Sequence, residues 1–233
     1  MNCYRVADTV FELKTVYDYT QNMLRDYAVE EAPEVLIETD AGDLAREYLK
    51  AEKAYPAPYV ESLAVYRKLC DYLLDKDVLL FHGSAVAMDG EVYIFTAPSG
   101  TGKSTHARLW RQRFGDRAFM VNDDKPLLGF GPEGVTVYGT PWDGKHRLSR
   151  NVALPLRAVA ILERGEENSI ARISPLSALA ALLQQAYRPE AIERILPLVE
   201  RLADRVPIYR LRCNMEPEAA EVAWEGMHGK DQL

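Results

Sequence analysis

The chain has 233 residues, 48% hydrophobic and 27% charged, with a formal net charge of −7. These are the proportions of a globular protein, and they exclude a disordered or fibrous chain. The acidic balance excludes a general nucleic-acid binder, which needs a basic field, and no apolar run approaches the roughly 20 residues of a membrane span. The length suits one large domain, or a core domain with a small satellite. The opening MNCYRVADTVFELK has neither the basic start nor the apolar centre of a secretory leader. Cys3, Cys70 and Cys213 fit neither a disulfide framework nor a zinc motif. They read as thiols in a reducing, cytoplasmic setting.

In chain order, residues 1–58 form a small α+β unit. Residues 6–15 alternate like one strand, 17–28 read as a helix, and VLIET within 33–40 is a second strand. A helix over 41–53 places Leu44, Tyr48 and Leu49 on one side. AYPAPYV at 54–60 carries two prolines and reads as a linker. Residues 61–74 have helical apolar spacing. VLLFHGSAVAM and EVYIFTA are two strand-like runs joined by Asp89-Gly90, a favoured hairpin turn. A helix over 105–114 and a strand over 117–121 follow. A hairpin over 129–140 then opens into the loop PWDGKHRLSRN. A strand spans 156–162. Ser174-Pro175 starts a helix that runs to about 187, and a second helix spans 190–204. A strand over 207–213 and a helix over 217–227 close the chain. Strands, helices and hairpins in this mixture predict an α/β fold with a mixed sheet over residues 59–233.

The most informative stretch is EVYIFTAPSGTGKSTHARLW: a strand, a glycine-rich loop, then a helix. The P-loop pattern asks for Gly, four residues, then Gly-Lys-Ser/Thr. Ala97 stands at the first glycine, and Ser99, Gly100, Thr101, Gly102, Lys103, Ser104 and Thr105 follow. Glycines let successive backbone N–H groups turn inward around phosphate oxygens, and the following helix adds the positive end of its dipole. Lys103 reaches the β- and γ-phosphates in such a loop, and the Ser104 hydroxyl ligates Mg²⁺. Alanine is small enough for the turn unless that position needs positive φ.

Phosphoryl transfer also asks for an acid near the metal and a base for the acceptor hydroxyl. AFMVNDDKP supplies both at the end of a strand, where α/β sites sit. The interval from Ser104 to Asp123 leaves room for a helix, a turn and a return strand beside the P-loop strand. Of the adjacent pair Asp123 and Asp124, one can hold the metal while the other takes a proton. Their mutual repulsion raises the pKa of at least one. All five residues of NDDKP also favour surface turns.

Taken together, HGSAVAMDG, SGTGKSTHARLW and VNDDKP resemble the HPr kinase/phosphorylase family. These are bacterial P-loop serine kinases related in their nucleotide site to ATP-dependent phosphoenolpyruvate carboxykinases. The likeness covers about residues 80–165. It implies the P-loop kinase core of the HPr kinase C-terminal domain, acting as a homo-oligomer. It also implies transfer of the γ-phosphoryl of Mg-ATP to a serine of a protein or peptide. Asp123 would be the base, Asp124 and Ser104 the Mg²⁺ ligands, Lys103 the phosphate-binding cation, and His82 a neighbour of the phosphates. The glycine-rich signature of that family is absent after the aspartates, where YGTPWDGKHRLSRN stands. The leading residues do not look like the usual N-terminal domain. Two other readings stay open: a carboxykinase-like kinase of a small molecule, and a nucleotide-sensing module without transfer.

Further candidates lie nearby. Lys145 and Arg147, beside His146 and Arg150, either close over the triphosphate and acceptor or form a solvated basic loop. Arg188 contacts phosphate or complements a helix dipole. His106 faces nucleotide or solvent, and Trp142 stacks on a ligand or anchors the core.

Overall fold

In the computed structural model, which describes residues 2–50, 53–187 and 192–229, Ala7 and Asp8 turn at positive φ, 49° and 60°. That turn splits the expected strand over 6–15 into β1 (Cys3–Val6) and β2 (Thr9–Lys14), which pair antiparallel. The expected helix over 17–28 is a short α1 (Tyr19–Met23) followed by a 3-10 turn. Next, β3 (Val35–Glu38) runs parallel to β2 and completes a sheet of order β1-β2-β3. Two helices follow, α2 (Ala41–Lys50) and α3 (Ala57–Leu74).

The face that α2 buries is not the apolar one expected. Leu49 is 88% exposed, while Asp43 and Glu47 are buried. Their partners are on α3: Lys68 Nζ lies 2.6 Å from Asp43, and Arg67 grips Glu47 with two nitrogens. Burial works against both charged carboxylates, but the cations outweigh it and hold both pKa values below the ordinary range. On α3 the fully buried Glu61 accepts the N–H groups of Val16 (2.7 Å) and Tyr17 (3.0 Å) and the Thr39 hydroxyl (2.9 Å). These contacts tie α3 to the leading strands. The chain accordingly divides between Val78 and Leu79, where the sequence had suggested 58/59.

The second unit is built on a nine-stranded mixed sheet. Its elements are β4 (Val78–Leu80), β5 (Ser84–Met88), β6 (Glu91–Thr96), α4 (Lys103–Phe114), β7 (Ala118–Asn122), β8 (Leu127–Gly131), β9 (Gly134–Tyr138), β10 (Ala153–Arg164), β11 (Ser169–Arg172), α5 (Pro175–Gln185), α6 (Leu196–Arg205), β12 (Ile208–Cys213) and α7 (Glu218–His228). The main path runs β4-β8-β9-β10-β6-β5-β7, with β12 on β10 and β11 on β12. The 12-residue β10 is the seam. Its start pairs antiparallel with β9, and the rest runs parallel to β6 and β12. The expected run VLLFHGSAVAM is broken at His82-Gly83 into β4 and β5. Asp89 and Gly90 both have positive φ and close the predicted β5–β6 hairpin. β7 returns not beside β6 but one strand further out, on β5, because β5 and β10 already occupy both edges of β6. Among the described residues no helix is long and apolar enough to cross a membrane.

Under α4 lies the aromatic part of the core, with Trp110 against Tyr93 and Phe95 at ring distances of 5.1 and 5.2 Å. His106 belongs to this core rather than to nucleotide or solvent. Its Nε2 accepts from the Trp110 indole N–H at 3.2 Å, and its Nδ1 lies 3.8 Å from Cys213 Sγ. Burial pushes its pKa down to about 4 from an ordinary 6.5. The unfolded chain therefore binds a proton between those values that the folded chain does not. Stability contributed by neutral His106 is complete above about pH 6.5 and is lost as pH falls toward 4. Urea unfolding at a series of pH values should show this slope, up to about 1.4 kcal/mol per pH unit. His106→Gln should flatten it, and a slope unchanged in that variant would place the titration elsewhere.

Candidate active site

β6 delivers the chain at Thr96 into the loop 97–102, and α4 begins at Lys103. Gly100 and Gly102 sit at φ +80° and +124°, and a Cβ on either would meet nothing within 4 Å. The glycines are thus required by backbone conformation, and the space in front of the loop is open. Ala97 has no positive φ, so alanine is accommodated where the pattern has glycine. Its carbonyl accepts from Lys103 Nζ at 2.8 Å, with the Pro98 carbonyl at 3.4 Å. Ser99 and Ser104 are exposed, and Thr101 and Thr105 partly so. The unpaired first-turn amides and the dipole of α4 face the same space.

Lys103 is buried. Burial lowers its pKa, while the charges of Asp124 and then Asp123 pull it back up. The loop cation and both acids therefore share one electrostatic environment, although β5 separates β6 from β7. The beginning of β5 bridges that gap. Buried Ser84 donates its hydroxyl to Asp123 Oδ1 at 2.7 Å. Gly144 lies against the same acid, where a Cβ would come within 3.1 Å of Asp123 Oδ2. Asp124 Oδ1 is 3.1 Å from His82 Nε2, and Asp124 Oδ2 is 3.6 Å from Lys125 Nζ. The other His82 ring nitrogen lies 3.2 Å from Gln185 Oε1. The His82 N–H reaches the Gln185 carbonyl, and the Gly83 N–H reaches the Asp124 carbonyl. Burial alone would raise the Asp124 pKa, but the His82 hydrogen bond and the Lys125 charge outweigh it and hold the carboxyl below its usual range. The increase expected from repulsion between the aspartates is not what governs Asp124.

Four nominated residues thus come together: His82, Lys103, Asp123 and Asp124. Lys145 and Arg147 are exposed, just beyond Gly144 on the loop that covers Asp123. Trp142 is buried, which makes it an anchor rather than a stacking surface. Arg188 lies outside the described residues. Among the described residues no group of three or more His, Cys, Asp or Glu side chains could hold a metal ion. Mg²⁺ in phosphoryl-transfer sites usually takes one or two carboxylates together with substrate phosphates. Exposed Ser104 and half-exposed Asp124 fit that use.

Three residues escaped the sequence reading. Ser84 orients Asp123. Arg164, at the end of β10, donates to the Thr101 carbonyl (3.1 Å) and the Gly100 carbonyl (2.5 Å), so the loop's carbonyls turn toward it. Nothing in the local sequence pointed to Arg164, some 60 positions away. The third is Asn122, fully buried at the end of β7. Its carbonyl oxygen accepts the N–H groups of Asp124 (2.8 Å) and Lys125 (2.7 Å). Its amide donates to the Thr140 carbonyl and hydroxyl (3.0 Å each) and to the Trp142 carbonyl (3.3 Å). Its signal was available, since Asn before two acids is a side chain suited to capping the following turn. The covering loop fits closely: a Cβ on Gly139 would fall 1.9 Å from the Arg150 carbonyl.

Residues 60–228 match the family model of SynChlorMet cassette protein ScmC, and the chain belongs to that family. No curated protein matches it. Among solved structures, the Hpr(Ser) kinase/phosphatase from Coxiella burnetii is 10% identical, over 62% of this chain and 85% of that one, with a TM-score of 0.39.

Replacing Asn122 by Ala leaves several buried donors and acceptors unpaired, at about 1–3 kcal/mol each. Asn122→Ala should lower the unfolding free energy by roughly 3 kcal/mol or more in urea titrations. A loss below about 1 kcal/mol would mean that the acidic turn and its loop hold without this residue.

Proposed function

We propose that this ScmC-family chain is a phosphotransferase that moves the γ-phosphoryl group of ATP to a hydroxyl, a serine of a protein or peptide. The observation that carries the reading is Lys103. Its buried ammonium lies in the field of Asp124 and Asp123, at the foot of an open glycine-rich loop that begins a helix. That arrangement suits a triphosphate on one side and a hydroxyl to be deprotonated on the other.

The residues divide the work as follows. The loop amides and the start of α4 bind phosphate oxygens. Lys103 exchanges the Ala97 carbonyl for the β- and γ-phosphates. Asp123, which already accepts a hydroxyl hydrogen bond from Ser84, accepts the proton of the acceptor serine. As that oxygen forms its bond to the γ-phosphorus, the bond from phosphorus to the β–γ bridging oxygen breaks and ADP leaves. His82 and Lys125 position the Asp124 carboxylate. Ser104 and Asp124 would hold Mg²⁺, which when bound supplies positive charge to the phosphates. Lys145, Arg147 and Arg188 are candidates for contacts to phosphate or acceptor. Paired acids favour transfer over simple nucleotide sensing, because sensing has no use for a base.

The test is a single-turnover incubation with γ-labelled ATP and Mg²⁺, read by intact mass of the protein and of added peptide or lysate acceptors. Lys103→Ala should abolish ATP turnover, and unchanged turnover would remove the loop assignment. Asp123→Asn should bind nucleotide nearly as well as the unmutated chain yet lose at least 10²-fold in transfer, about the lower bound for a missing general base. Surviving transfer would place the base elsewhere. ATP that binds but is never consumed would favour the sensing module.

A further inference from the structure

The leading unit holds a groove that phosphoryl transfer leaves unused. A cavity of about 560 Å³ runs along β3, lined by Leu36, Glu38 and their neighbours and by Lys68 and Tyr72 of α3. β3 ends its sheet, bonded to β2 on one side and, among the described residues, to no strand on the other. The opposite margin of the sheet is covered: Ala28 bridges to Tyr4 of β1, and the Val29 N–H reaches the Cys3 carbonyl at 3.0 Å. Proteins ordinarily blunt a free edge with charge, proline or a covering element. β3 presents Leu36, 43% exposed, beside the exposed Glu38.

Charge supplies the second observation. Residues 1–78 contain nine Lys and Arg against sixteen Asp and Glu, and residues 79–233 contain nineteen of each. The whole net charge of −7 therefore resides in the leading unit. At the groove, Lys68 is engaged by Asp43 at 2.6 Å and by the Glu38 carbonyl at 2.8 Å. The Glu38 and Asp40 carboxylates have no cationic partner among the described residues.

We propose that this groove docks an extended, basic segment of the acceptor, added as a further strand along β3. The proposal rests on the protein or peptide acceptor of the preceding subsection. Main-chain hydrogen bonds along the edge supply affinity, and alternate side chains supply selectivity. On the face that Leu36 and Glu38 share, lysine or arginine side chains lay their stems along Leu36 and meet Glu38 and Asp40, while the alternate, apolar side chains lie on the other face of the added strand, beside Tyr72. Docking there raises the local concentration of the acceptor without a new contact at the transfer site.

The experiment uses the full chain carrying Lys103→Ala, so that turnover plays no part. The probe is a fluorescent twelve-residue peptide alternating Lys or Arg with Val or Leu. It should bind, and amide exchange should slow at residues 35–38. A central proline in the peptide, or the double variant Leu36→Lys/Glu38→Lys at these two exposed positions, should weaken binding at least tenfold. No binding, equal binding of the proline peptide or of an all-acidic counterpart, or slowed exchange elsewhere would overturn the proposal. The binding result is independent of whether the unmutated chain consumes ATP, so docking and phosphoryl transfer fail separately.

Discussion

Asn122 makes five hydrogen bonds through one buried carboxamide. With its carbonyl it shapes the turn that carries Asp123 and Asp124. With its amide it holds the backbone at Thr140 and Trp142, where the covering loop begins. In a dry interior such a network rigidifies when every member is satisfied and costs heavily when one is missing. The acids and the loop above them are therefore not independently adjustable. An aspartate here would keep the accepting half and lose the donating half, with a buried charge added.

The rest of the site follows from that anchor. Asp123 is fixed from below by Ser84 and from above by the loop at Gly144. Asp124 is fixed by His82, which is itself held by Gln185. Lys103 is drawn back onto the Ala97 carbonyl, and Arg164 holds the carbonyls at the tip of the glycine-rich loop. Lys103 and Asp123 are the buried charges here, and burying either alone would cost several kcal/mol, so each depends on its polar neighbours. A site arranged this way has its dipoles already in place, which is the general condition for electrostatic stabilisation of developing charge.

Much of this was legible because it is local. The glycine-rich loop, its lysine and the helix behind it declare themselves through backbone requirements within eight residues, and the paired acids through their place after an apolar strand. The Asp89-Gly90 hairpin and the Ser174 helix start were readable for the same reason. What failed was non-local or atypical. The turn at Ala7-Asp8 hides because alanine rarely accepts positive φ. The inward face of α2 was misjudged because Asp43 and Glu47 are buried against Lys68 and Arg67, an arrangement that apolar periodicity cannot register. The place of β7 depends on which strand edges remain free, and Ser84 and Arg164 act through contacts far apart in the chain. The division at Val78 depends on Glu61, whose partners lie more than 20 positions away.

The intervening β5 makes the sheet a ruler. Neighbouring strands stand about 4.8 Å apart, so the ends of β6 and β7 are separated by two such steps, roughly 10 Å. That interval is set by main-chain ladders on both sides of β5 rather than by the loops. Changes in loop length or composition can alter what enters the gap, but its width can change only by whole strands. The distance between the loop that carries Lys103 and the turn that carries Asp123 is thus a stepped property of the scaffold.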